Sequence, residues 1–106
     1  MTAKKPPRVL YHWSPMVNRE SIKRLGLMPG LRSNTIEWNA PYVCYGDSPL
    51  RALNLVLLDD VMLDLWCVET AGFKFKQDNP WIDGVFQEWR SKDTIPALWI
   101  AMRGKK

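Results

Sequence analysis

The chain holds one histidine and two cysteines in 106 residues. That inventory is too small for a zinc site of any familiar spacing. It also favours two reduced thiols over a disulfide. Cys44 and Cys67 both fall in strand-like runs, and the expectation is two reduced thiols packed in a cytoplasmic protein. No apolar run approaches the roughly 20 residues that span a bilayer. The charged start, Met1 to Arg8, leads into no long apolar segment, so no signal peptide is expected. Internal repeats and low-complexity tracts are missing as well.

Apolar residues make up 46% of the chain and charged residues 25%, the balance of an ordinary globular domain. At this length one modest core is expected. The net charge is +4. Part of it sits at the ends, in Lys4, Lys5 and Arg8 and in Arg103, Lys105 and Lys106. Such tails serve solubility or attract nucleic acid or a phosphate-bearing ligand. Six tryptophans are spread along the chain. Most suit packing, and one or two suit a site that stacks on a flat ring.

Residues 1–7 read as a disordered basic lead-in, with Pro6-Pro7 blocking regular structure. A single domain is expected over 8–103. Residues 8–12 read as a strand ending at His12. Ser14-Pro15 has the form of a helix start, with serine as N-cap and proline at the first helical position. That helix is expected to run to Leu25, with Asn18, Ile22 and Leu25 on its buried stripe and Gly26 as its C-terminal cap. Residues 28–40 read as a long loop, a length that often carries function.

Residues 41–45 read as a second strand. Gly46-Asp47-Ser48-Pro49 then starts a helix over about 49–58, with Leu50, Leu53 and Leu57 buried. Residues 61–69 read as a buried strand, 70–76 as a short one, 77–80 as a turn, 85–90 as a strand, and 98–102 as the last strand. The class is α+β, with five to seven short strands in a split or mixed sheet and two helices, both in the first half.

Three segments resemble the ADP-ribosyltransferase superfamily, in the His–Tyr–Glu branch that includes the poly-ADP-ribose polymerases and small bacterial and phage enzymes. The first is Leu10-Tyr11-His12, then a helix and Gly26-Leu27-Met28-Pro29-Gly30. The second is Tyr42-Val43-Cys44-Tyr45-Gly46-Asp47-Ser48-Pro49, with Ala52 following. The third is Glu88-Trp89-Arg90, then Ile95-Pro96 and Ile100. They occur in the family's order and cover most of the chain.

The resemblance implies a compact ADP-ribosyltransferase-like fold and NAD as substrate. It implies that His12 bonds a ribose hydroxyl and that Tyr42 or Tyr45 stacks on nicotinamide, although the spacing from Asp47 also points to Cys44 for that position. Glu88 would be the catalytic carboxylate, holding the ribose and stabilising the cation that forms as nicotinamide leaves. Trp13 stands where the family's glycine usually follows the histidine. Its backbone would take the carboxamide contact, with the side chain turned elsewhere. The acceptor would be a protein or a nucleic acid. No metal and no membrane are expected to take part.

Without the family, each residue also has a plainer reading. His12 is then a capping or half-buried histidine. Glu88 is then a surface strand residue paired with Arg90 or Lys92. Tyr42 and Tyr45, at odd spacing, point to opposite sides of their strand. Arg32 and Arg51 suit a pyrophosphate or a solvated face. Two further functions compete with the transferase. One is a catalytically inactive module of the same fold that binds nucleotide, nucleic acid or a partner. The other is RNA phosphate transfer, as in the related RNA 2′-phosphotransferases, for which ordered arginines are few.

Overall fold

In a computed structural model of the chain, residues 5–29, 42–56, 60–78 and 88–104 are described. They form six strands and two α-helices: β1 (Val9–Pro15), α1 (Arg19–Leu25), β2 (Val43–Tyr45), α2 (Pro49–Asn54), β3 (Leu63–Glu69), β4 (Lys76–Asp78), β5 (Glu88–Ser91) and β6 (Leu98–Gly104). The strands make two three-stranded sheets, antiparallel throughout, in the orders β1-β3-β6 and β2-β5-β4. The fold is therefore α+β, with its strands split between two sheets.

Alternation along β1 and β3 gives the first sheet two apolar faces. One face carries Leu10, Trp66 and Val68. It packs with Val43, Tyr45 and Trp89 of the second sheet and with Ile22, Leu27 and Ile95. The other face carries Trp13, Leu63 and Leu65 and packs on Ala52 and Leu53 of α2 and on Val56 beyond its end. The first sheet is thus buried on both sides, which explains why β3 reads as a nearly continuous apolar run.

A backbone bridge ties the two sheets together. Tyr11 donates to Gly46 over 2.8 Å, and Gly46 donates back over 2.9 Å. A Cβ on Gly46 would come within 2.4 Å of the Ala52 nitrogen, so only glycine lets the chain turn here from β2 into α2. Ser48 caps α2 by accepting from the Arg51 N–H at 3.2 Å, with Pro49 at the first helical position, as its sequence predicts.

The Ser14-Pro15 expectation is corrected. Both residues continue β1, Ser14 opposite Asp64 and Pro15 opposite Leu63. Pro15 has an extended backbone, φ −53° and ψ 141°, and a 3-10 turn over Met16–Asn18 separates it from α1. β1 is an edge of its sheet, where a strand tolerates proline because no neighbour needs the missing N–H. Gly26 does close α1, with φ 84° and its N–H on Ile22. Leu25 is 47% exposed, so the buried stripe of α1 narrows to Ile22. Leu50 of α2 is likewise 69% exposed, and Ala52 takes the buried position.

The region predicted as strand 70–76 and turn 77–80 is shifted: β4 begins at Lys76 and includes Gln77 and Asp78. Thr70 instead anchors the start of the chain. Its hydroxyl donates to the Pro7 carbonyl at 2.7 Å, and its N–H donates to Arg8. β2 begins at Val43 and β3 at Leu63, later than predicted, while β6 runs on to Gly104. Residues 30–41, 57–59 and 79–87, with Arg32, Trp38, Leu57 and Trp81, lie outside the described residues.

Candidate active site

His12 sits in the middle of β1, opposite Trp66, on the face turned toward the second sheet. Its Nδ1 lies 2.8 Å from the Cys44 carbonyl oxygen. A carbonyl only accepts, so Nδ1 carries the proton and Nε2 keeps its lone pair. Burial pushes the pKa of His12 below the ordinary histidine value, and the bond to Cys44 only partly opposes that. The ring is therefore neutral at physiological pH, a hydrogen-bond acceptor held at a fixed angle.

The Tyr45 ring lies 5.8 Å from His12, and the Phe75 ring 5.6 Å beyond it. Tyr45 is fully buried. Burial raises its phenol pKa far above the usual range, so the hydroxyl keeps its proton.

Glu88 opens β5, opposite Asp78. β5 pairs with β2, where Tyr45 lies opposite Trp89, the residue next to Glu88. Gly46, which follows Tyr45, is bonded to Tyr11 of β1, so β2 links the strand of His12 to the strand of Glu88. Strand alternation gives them different neighbours. Trp89 and Ser91 are buried, whereas Glu88 and Arg90 lie on the opposite face, across from Cys44. There the Arg90 Nε donates to the Glu88 carboxylate, and the guanidinium lies 4.2 Å from the centre of the Tyr42 ring. The structure thus makes two groups: His12 with Tyr45, and Glu88 with Arg90 and Tyr42.

Trp13 faces the second core. Its indole N–H donates to the Pro49 carbonyl at 2.7 Å, and the ring lies against Gly104, where an added Cβ would approach to 2.7 Å. The side chain is turned away from His12, which leaves only the Trp13 backbone near the site. Arg51 pairs with Asp47 at 2.7 Å, within the α2 turn. Cys44 and Cys67 are not joined in a disulfide, and burial raises the pKa of the Cys67 thiol.

The largest feature that sequence reasoning passes over is the ion pair of Arg19 with Asp64. It is bidentate, with both contacts at 2.9 Å. Asp64 is fully buried. Arg19 also lies 4.3 Å and Lys23 4.9 Å from the centre of the Trp99 ring. The signal is visible in hindsight: one acid inside the apolar run of β3 demands a cation, because a buried carboxylate is almost never unpaired.

No protein-family model and no curated protein matches the chain. Among the described residues, no group of three or more histidine, cysteine or acidic side chains is placed to hold a metal. None of the described helices is long and apolar enough to cross a membrane.

Proposed function

We propose that the chain cleaves the nicotinamide–ribose bond of NAD and transfers ADP-ribose to a protein or nucleic-acid acceptor. The observation that carries this reading is the fixed tautomer of His12. With Nδ1–H given to Cys44, Nε2 offers one lone pair, the acceptor that a ribose hydroxyl needs. In this reading Glu88 supplies the negative charge, from the strand that β2 links to that of His12. As the glycosidic bond breaks, its electron pair leaves with the nicotinamide nitrogen and the ribose gains positive charge. A fixed carboxylate lowers that barrier. The acceptor nucleophile then bonds to the ribose carbon and loses its proton to water.

Tyr45 is the tyrosine beside His12, and Tyr42 is the tyrosine against the Arg90 guanidinium. In this reading Tyr45 backs the histidine, and Tyr42 holds Arg90 against the catalytic carboxylate. A second reading draws on the same contact. Arg90 neutralises Glu88 and is itself fixed on Tyr42, an arrangement that suits a nucleotide-binding module without catalysis.

Both readings require NAD to bind through His12. Calorimetric titration of the protein with NAD is expected to give saturable binding. His12→Phe, which keeps a flat ring and removes the acceptor, is expected to weaken it at least about tenfold, the worth of one hydrogen bond to a buried polar partner. Equal binding by the folded variant would remove His12 from the site.

A further inference from the structure

Trp99 of β6 carries two cations on one ring. The Arg19 guanidinium lies 4.3 Å and the Lys23 ammonium 4.9 Å from its centre. Arg19 and Lys23 are one turn apart on α1, where side chains four positions apart are neighbours. Both charged groups are thus gathered over the same ring. Trp99 stands on the face of the first sheet that carries His12, two strands across from it.

Like charges at this helical spacing repel, and the acids nearby answer only part of the charge. Asp64 takes the Arg19 Nε and Nη2. The N–H groups of Nη1 have no partner among the described residues, and the Arg19 side chain is 23% exposed. Glu20 comes no closer than 3.7 Å to Lys23 and is 85% exposed. That separation is beyond hydrogen-bond reach, and an ion pair so open to solvent is worth little. The Lys23 ammonium therefore keeps its donors.

We propose that Arg19 and Lys23, held on Trp99, form a binding site for a phosphate group. One phosphate oxygen accepts from the Arg19 Nη1 and another from the Lys23 Nζ. Both are charge-assisted bonds, the strong kind. The added negative charge also relieves the repulsion between the two cations. Stacking on the indole and bonding to Asp64 fix the guanidinium before any ligand arrives, so little of its freedom is lost on binding. Nucleotides and nucleic-acid backbones both carry this group. The proposal stands on these contacts and does not rest on NAD cleavage.

The test titrates the full chain with inorganic pyrophosphate by calorimetry at physiological ionic strength. Saturable binding is expected. Lys23→Gln weakens it at least about tenfold, the loss of one charge-assisted hydrogen bond. Arg24→Gln is the control. It removes the same charge from the next residue of α1, which the helix turns about 100° away, and it leaves the affinity within about threefold because an exposed charge is screened. Matching circular dichroism spectra show that each variant is folded. Competition reads the source of the phosphate. Displacement of pyrophosphate by ADP assigns the site to a nucleotide, and displacement by single-stranded DNA alone assigns it to a nucleic-acid backbone. No saturable binding of pyrophosphate, equal losses in the two variants, or displacement by neither competitor overturns the proposal.

Discussion

Arg19→Ala is expected to lower the thermal unfolding midpoint by more than about 10 °C, followed by circular dichroism. The substitution strands the Asp64 carboxylate, which is fully buried and takes both of its strong hydrogen bonds from Arg19. Breaking a buried pair from one side leaves an uncompensated charge, which is far more costly than removing the whole pair. In a domain of this size such a cost corresponds to a shift of this order. The double variant Arg19→Met with Asp64→Leu therefore recovers most of the loss. Equal midpoints for Arg19→Ala and the double variant would show that the pair is not what holds α1 to β3. Arg19 also covers the Trp99 ring, so part of the single-variant loss is lost packing.

Trp13→Ala carries the second large effect, about 3–5 kcal/mol of unfolding free energy in urea titration. The indole is buried in the second core with Leu63, Leu65 and Ala52 and joins β1 to α2 through Pro49. Trp13→Phe keeps most of the packing and loses the N–H, for a cost of about 1 kcal/mol. If NAD binds through His12 as proposed, the folded Trp13→Phe protein is expected to bind it equally well, because the side chain points away from His12. A variant that stays stable and loses NAD would place the indole at the site after all.

Local structure was the part most legible in the sequence. Ser48-Pro49 starts α2 and Gly26 ends α1 because capping is decided by neighbouring residues. Ser14-Pro15 has the same local form and a different outcome. The deciding factor there is the pairing of β1 with β3, which sets Ser14 opposite Asp64 and Pro15 opposite Leu63. β4 was misplaced for a similar reason. The alternation of Phe73 and Phe75 with lysines is a strand pattern, but it is the pairing of Lys76, Gln77 and Asp78 with β5 that fixes the strand.

The candidate site was partly legible. Strand alternation separates Tyr42 from Tyr45, as their odd spacing implies. The Glu88–Arg90 pair matches the plainer reading of Glu88 in its partner but not in its surface position, since the Glu88 side chain is only 15% exposed, and it gives the proposed catalytic carboxylate a fixed neighbour. The bond from His12 to the Cys44 carbonyl has no sequence signature. A backbone acceptor is supplied by whichever strand lies alongside, and the Tyr11–Gly46 bridge is what brings β2 there.

The account turns on whether Glu88 acts on NAD. The most direct measurement follows free nicotinamide by chromatography while the purified protein is incubated with NAD, beside a Glu88→Gln control of matching circular dichroism spectrum. The account predicts steady release by the natural protein and a loss of about a hundredfold or more in the control, the scale for removing one electrostatic stabiliser of a transition state. Release at equal rates from both proteins, or no release from a folded protein that binds NAD, would contradict it.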